Sequence, residues 1–252
     1  MDFKNKVVLV TGASRGLGRA IADGFARLEA KVVVHFAANE GAARSVLQAL
    51  PGHDHKMYQA DIGTESDVVE LVNTVIQEYG RIDILINNAG IFREHRVPFS
   101  DFREWKDIWD RTIAVNLSGV AYLCHAVAQH MILQGGGKII NISSRGAFRG
   151  EPDHPGYGAS KSGLNSLSQS LAQALAPYNI HVFAIAPGWI DTDMAIERLN
   201  SDRREEILSQ SPLHRVARPE EIAHAVLWLA SEGMEYATGT ILDMNGASYL
   251  RN

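Results

Sequence analysis

Short apolar runs recur along the chain at Lys6–Val10, Lys31–Phe36, Lys56–Gln59, Ile82–Ile86, Lys138–Ile142, His181–Ala186 and Thr240–Met244. Most are rich in Val and Ile and lack strict apolar–polar alternation, the pattern of parallel strands buried on both faces. Between them lie helical stretches at Gly16–Leu28, Glu40–Leu50, Glu65–Tyr79, Trp105–Leu133, Tyr157–Ala176 and Pro219–Ala230. Pro219 suits a first helical position, where a missing N–H costs nothing. Strand and helix alternate throughout, which predicts an α/β fold: a doubly wound parallel sheet of about seven strands, helices on both faces and right-handed crossovers. No linker or repeat divides the chain, so one domain is expected over residues 1–252. Only the polar segment Asp193–Gln210 breaks the rhythm; following a strand end, it is read as a lid over a site.

Composition narrows the function classes. The 252 residues are 46 % hydrophobic and 21 % charged, ordinary for a soluble protein long enough to bury one large core. A net charge of −5 gives no surface for nucleic acid or anionic membrane. With one cysteine, Cys124, no intramolecular disulfide can form. The start carries no signal-like apolar stretch and no run of ~18 apolar residues exists, so a cytoplasmic protein without a membrane span is expected. His95 and His154 lack ligand spacing with other Cys, His or Asp residues, and no catalytic metal is expected.

The first strand runs into Thr11-Gly-Ala-Ser-Arg-Gly-Leu-Gly18. Glycines at 12, 16 and 18 allow a tight turn and close backbone approach, and the helix start offers N–H groups and a positive dipole end to a pyrophosphate. The second strand ends His35-Phe36-Ala37-Ala38-Asn39, without the acid that usually binds ribose hydroxyls in an NAD site. Arg15, inside the loop, has the planar fork to meet a 2′-phosphate, or is simply a solvated loop residue. The missing acid is the stronger half of the argument, and NADP(H) is favoured over NAD(H). Asp61 follows a strand and fits either an adenine amino group or a helix cap. Asn87-Asn88-Ala89-Gly90 follows another, where side-chain amides can tie the central strands and small residues leave room.

Tyr157 and Lys161 stand four apart, on one face of a helix. A phenol of pKa ~10 is a poor acid–base group at neutral pH. A nearby ammonium lowers that value, and the tuned phenol can give a proton to a carbonyl or take one from an alcohol. Ser144, thirteen residues earlier at a strand end, can hydrogen-bond the same oxygen. Asn116 interrupts a long apolar helix and reads either as a local kink holding a water on a proton path to Lys161, or as a buried amide bonded to a neighbour.

In these motifs the chain resembles the short-chain dehydrogenases/reductases of the ~250-residue single-domain type, essentially end to end. Pro187-Gly188 adds to the match. The resemblance implies a Rossmann-type fold and an NADP(H)-dependent oxidoreductase interconverting a ketone and a secondary alcohol. It implies Tyr157 as acid/base, Lys161 as the group that lowers its pKa and holds the nicotinamide ribose, Ser144 as the orienting hydroxyl and Asn116 in a proton relay. Cofactor contacts are expected from Gly12, Ser14, Arg15, Gly16, Leu17 and Gly18, from Phe36, from Asp61 and Ile62, from Asn88, Ala89 and Gly90, from Tyr157 and Lys161, and from Pro187, Gly188, Ile190 and Thr192.

The family commonly forms tetramers through the two long helices and the last strand, so a homotetramer acting on a small carbonyl or alcohol is expected. The family's 3-oxoacyl-[acyl-carrier-protein] reductases share the non-acidic second strand and form the alternative. Their basic docking positions read Gln134-Gly135-Gly136-Gly137 and Pro177-Tyr178 here. A non-catalytic NADP(H)-sensing or scaffold protein is the second alternative. Phe183 stands where the family usually has Asn, and Ala247 where a glycine is frequent. Pocket candidates are Ile91, Phe92, His95, Arg145, Phe148, Glu151, His154, Trp189 and Met194. Arg145 or Arg149 can pair a substrate carboxylate, though a solvated loop charge is the favoured reading of both. Trp189 is either pocket wall or core.

Overall fold

The valine-rich runs form seven strands: β1 (Val7–Val10), β2 (Lys31–Phe36), β3 (Lys56–Gln59), β4 (Ile84–Asn87), β5 (Gly137–Ile142), β6 (Ile180–Pro187) and β7 (Ile241–Met244). They pair in parallel in the order β3-β2-β1-β4-β5-β6-β7. The computed structural model describes residues 1–251, with the side chains of Met194, Glu197 and Arg198 outside the description. The pocket reading of Met194 therefore lies outside the described residues.

Among the described residues ten helices connect the strands: α1 (Gly16–Ala26), α2 (Glu40–Ala49), α3 (Glu65–Tyr79), α4 (Phe102–Ile113), α5 (Gly119–Gln134), α6 (Gly146–Arg149), α7 (Pro155–Leu175), α8 (Asp193–Leu199), α9 (Arg204–Leu208) and α10 (Pro219–Ala230). Alternate strand residues feed two cores. Val8 and Val10 pack with α1, α2 and α10, while Val7 and Leu9 pack with α3, α5 and α7. That division explains why β1 is apolar at every position. Phe183 is fully buried in the first of these cores. Asn39 caps α2 by accepting from the Ala42 N–H at 2.9 Å, and Asp101 caps α4. Pro219 opens α10 as the sequence predicts.

One predicted helix is two. Trp105–Leu133 is broken by a π turn over Ala114–Ser118, centred on Asn116. The predicted lid segment forms α8 and α9. It leaves and returns beside one point, where Ile190 and Ala217 form a bridge closed by Asp191 N–H to Ala217 O at 2.8 Å and Ala217 N–H to Trp189 O at 2.9 Å. Among the described residues no helix is long and apolar enough to cross a membrane.

Candidate active site

The sheet order reverses between β1 and β4, and a crevice opens beyond the carboxyl ends of the strands there, the usual ligand position in open α/β sheets. It is a cleft of about 470 Å³. Every predicted site residue lines it except Phe36 and Asn116.

At one end the cleft is made of backbone. Gly12 and Gly16 sit at φ +63° and +52°, conformations that favour glycine. A Cβ on Gly18 would lie 2.2 Å from the Gly12 carbonyl oxygen. The Thr11 hydroxyl accepts from the N–H groups of Asn88 and Ala89, each at 3.0 Å, and the Asn88 amide donates to Thr11 O at 2.9 Å. These bonds zip the ends of β1 and β4 together. Deeper in the sheet, Asn87 donates to Asn141 at 2.8 Å and Asn141 to Ser168 at 2.8 Å, so amides do tie the central strands. Arg15 precedes α1 in an extended conformation, and among the described residues no side chain caps the first turn of that helix. Its N–H groups and positive dipole end are thus directed to the cleft, where they suit a pyrophosphate.

His35 holds this end in place, a role the sequence reading did not assign. Its Nδ1 accepts from the Gly12 N–H at 3.1 Å and its Nε2 pairs with Ala60 O at 3.0 Å, which fixes the neutral Nε2–H tautomer. Burial lowers its pKa to about 4. The only sequence signal is a histidine inside a buried apolar strand. Phe36 turns away into the core at 4 % exposure, because side chains alternate along a strand. Ala37, Ala38 and Asn39 line the cleft instead. The Arg15 side chain is 73 % exposed and meets Asp193, the first residue of α8, at 3.6 Å. Asp61 accepts from Gly63 N–H at 2.9 Å and pairs with Arg111 at 2.8 Å. That Arg111 hydrogen bond lowers its pKa. Asp61 does not occupy the N-cap of α3; Thr64 does.

At the other end stand the side chains. Pro155 occupies the first turn of α7, and the Gly156 N–H donates to the buried Nε2 of His95 at 3.0 Å. His95 therefore braces the helix start rather than lining the cleft. Phe92 stacks on His154 at 3.8 Å and meets the Tyr157 ring edge-on at 4.7 Å. Lys161 is buried, donates to Ile142 O at 2.7 Å, and places its Nζ 5.7 Å from the Tyr157 ring centroid. Ser144 follows β5, accepts from the Gly146 N–H at 3.0 Å and hydrogen-bonds Tyr157.

The expected acidity of the phenol needs correction. Burial pushes Tyr157 up to about 12; the Ser144 hydrogen bond pulls the other way and the Glu151 charge adds to the rise. Lys161, whose Nζ lies 5.7 Å from the ring centroid and donates to Ile142 O, has its own pKa lowered to about 8 by burial. At neutral pH the pair is a protonated phenol beside an ammonium, the state that gives a proton to a carbonyl oxygen.

Asn116 sits at a helix kink and is also a buried amide bonded to its neighbours. The helix is distorted there, and its amide accepts from Ile91 N–H at 2.8 Å and donates to Ile91 O at 2.9 Å and Ser160 at 3.3 Å. It clamps the loop after β4 to α7 from just outside the cleft. Among the pocket candidates, Ile91, Phe92, Arg145, Glu151 and Trp189 line the cleft, whereas Phe148 stacks on Tyr249 away from it. Trp189 is both wall and packing, since it also rests on the small cluster of Ala195, Leu199 and Ile207. Arg149 is exposed, but Arg145 is only 4 % exposed, which overturns the solvated reading of it. Arg111 and Gln210 are functional-site neighbours that nothing in the chain's local pattern announces.

Comparisons with known proteins agree with this geometry. A family model described as Enoyl-(Acyl carrier protein) reductase matches residues 12–246. The 3-oxoacyl-[acyl-carrier-protein] reductase of Thermotoga maritima is 39 % identical over 248 residues, covering 98 % of both chains. That of Escherichia coli is 39 % identical over 250 residues, covering 99 % of this chain and 100 % of its own. The crystal structure of gox2181 superposes with a TM-score of 0.92 at 28 % identity, covering 98 % of this chain and 96 % of that one. A glycine cradle, a strand-end serine and a tyrosine–lysine helix on one crevice, matched over nearly the full length, mean that the chain belongs to the short-chain dehydrogenase/reductase family and is an oxidoreductase of the carbonyl–alcohol type.

Proposed function

We propose that this protein interconverts a ketone and a secondary alcohol with NADP(H), and that Tyr157, Ser144, Lys161 and Asn116 form its catalytic set. The carrying observation is that Ser144, Tyr157 and Lys161 converge at one end of a cleft whose other end is a cradle that admits no Cβ at Gly18. The loop Gly12–Gly18, including Ser14 and Leu17, and the α1 N-terminus hold the pyrophosphate. Asp61, Ile62, Asn88, Ala89 and Gly90 form the adenine and ribose wall, Lys161 takes the nicotinamide ribose, and Pro187, Gly188, Ile190 and Thr192 take the carboxamide end. When bound, the nicotinamide supplies or accepts the hydride at the substrate carbon. Tyr157 gives the substrate oxygen its proton during reduction. Ser144 holds that oxygen by a hydrogen bond that strengthens as charge develops. Asn116 keeps the π turn and the loop after β4 in register with Lys161, the route by which a spent phenol is reprotonated.

The choice of NADP(H) rests on the rim of the adenine end. His35 is neutral and already bonded, Ala37 and Ala38 carry no charge, and Asp61 is neutralised by Arg111, while the Arg15 guanidinium projects into solvent at the cleft mouth. A 2′-phosphate fits that arrangement better than bare ribose hydroxyls do.

Tyr157→Phe tests the reading: kcat falls by about 10²–10⁴-fold while NADPH still quenches protein fluorescence at the wild-type concentration. Near-normal turnover by that variant removes the assigned role, and tighter use of NADH than NADPH by the wild type removes the cofactor assignment.

A 3-oxoacyl carrier-protein reductase is the second reading, favoured by the names of the relatives at 39 % identity. The positions before β5 and after α7 that would meet an acidic carrier are not basic here. The segment of α8 and α9, hinged at Ile190 and Ala217, is the lid of the cleft. Exposed Phe99, Phe102 and Leu133, together with the open edge of β7, support assembly into a homotetramer, which light scattering on the purified protein measures directly. A cytoplasmic location completes the proposal, in keeping with a lone buried thiol at Cys124.

A further inference from the structure

Beside the cleft lies a second cavity of about 750 Å³, and Arg145 and Trp189 belong to the walls of both. Its sides are the returning end of the lid segment and the C-terminal stretch after β7. The other cations in it are committed: Arg215 forms a double contact with Glu221 at 2.7 Å, and Arg251 pairs with Asp243 at 2.7 Å. Arg145 is different. It is 4 % exposed, and its hydrogen-bond partner among the described residues is the neutral amide oxygen of Gln210. Burial and then repulsion from Arg149 lower its pKa to about 10, with Glu151 pulling the other way, so it stays charged at neutral pH. A guanidinium has five donors and is costly to bury unless an anion answers it. Arg145 is also fixed relative to the chemistry. It follows Ser144 directly, and its backbone N–H donates to Pro187 O at 2.9 Å.

We infer that Arg145 sets substrate specificity by binding a carboxylate, so that the substrates are oxo acids and the corresponding hydroxy acids. The carboxylate takes the guanidinium fork, and the carbonyl of the same molecule lies at Ser144 and Tyr157. Among the described residues of the cavity wall, Arg145 is the cation with no carboxylate hydrogen-bond partner, and a single guanidinium matches a singly charged carboxylate better than a doubly charged phosphate. Gln210 positions the guanidinium from the lid side. This inference rests on the oxidoreductase reading above, and it disfavours a carrier-bound 3-oxoacyl thioester, which offers no free carboxylate.

The test uses matched pairs: pyruvate, acetoacetate and levulinate against their methyl esters, with NADPH and the full chain. For at least one pair, wild-type kcat/KM favours the acid by ~30-fold or more. Arg145→Gln abolishes that preference by losing activity on the acid while the ester stays within ~3-fold, and Arg145→Lys recovers part of it. Gln210→Glu leaves Arg145 in place but gives it an internal carboxylate; KM for the acid rises and the ester is unaffected. Esters reduced as well as acids by the wild type, or equal losses on both in Arg145→Gln, overturn the inference. Calorimetric titration of the three acids into wild type and Gln210→Glu reads the site without turnover. Binding to the wild type that the variant loses upholds the carboxylate site even if no member of the panel is reduced. No binding to the wild type rejects the site, whatever the fate of the oxidoreductase reading.

Discussion

The two ends of the cleft are built by different means. The cofactor end is backbone: glycines too close for a Cβ, an N-terminal helix turn, and a Thr11–Asn88 zipper between adjacent strands. The substrate end is side chains brought from distant segments: Arg145 beside Gln210, and His95 under Gly156. A backbone site answers a ligand part that never changes, in the proposed reading a pyrophosphate. A side-chain site can change its ligand by substitution, as fold and chemistry stay put.

Matched glycine substitutions break this comparison most directly. In Gly18→Ala the new Cβ meets the Gly12 oxygen at 2.2 Å and the Ala13 Cα at 2.9 Å, both backbone-bound atoms. The loop must move, with a stability loss of about 1–3 kcal/mol. NADPH affinity is expected to fall by ~100-fold, about 2.7 kcal/mol, measured by fluorescence titration. In Gly158→Ala the nearest atoms are at 3.4 and 3.5 Å, ordinary contact. Replacing a glycine in the first turn of α7 then adds about 0.5–1 kcal/mol to stability with catalysis retained. Similar outcomes for the two variants would show that the ends are not built differently.

The same contrast decides what could be read from the chain. Gly12, Gly16, Gly18, Asn88 and the Tyr157–Lys161 pair are local patterns, because each follows a buried strand or lies along one helix. Seven strands are legible for the same reason: apolar runs without alternation have one interpretation in a two-sided sheet. The orientation of Phe36 is not legible, since a strand tip does not say which side chain faces the cleft and which faces the core. The phenol's acidity is not legible, because a four-residue spacing shows neighbours but not burial, and burial is the largest influence on Tyr157. Arg145 and Gln210 are 65 residues apart. Their meeting depends on the path of the lid segment, which no local pattern encodes.

Titration gives a second contrast of smaller size. His35, at the cofactor end, has its pKa lowered from 6.5 to about 4 by burial. The unfolded chain therefore binds a proton that the folded one refuses, and stability is lost as pH falls from about 6.5 to 4, by about 3 kcal/mol. Lys161, at the catalytic end, falls from 10.5 to about 8. There the folded protein releases its proton first, so stability rises between about pH 8 and 10.5, again by about 3 kcal/mol. Chemical denaturation against His35→Asn and Lys161→Met isolates each slope. Asn at 35 keeps an acceptor for the Gly12 N–H without titrating. A pH-independent difference between wild type and either variant would mean that the group is solvated in the folded state.

The smallest effect concerns backbone at the substrate end. Both left-handed positions of the cofactor loop, 12 and 16, are glycine, whereas the stretch after β7 places Ala247 at φ +57° just beyond Gly246 at +60°. A Cβ in that region costs about 1–2 kcal/mol, partly offset here by the lower chain entropy that alanine brings to the unfolded state. Ala247→Gly is therefore expected to stabilise by about 0.5–1 kcal/mol, seen as a higher denaturation midpoint with an unchanged slope. Ala247 also lines the cavity that holds Arg145. If the variant is more stable and keeps the acid-over-ester preference, the strain is incidental to that wall. If the added stability comes with a weakened preference, the strained turn is part of how the substrate end holds its shape.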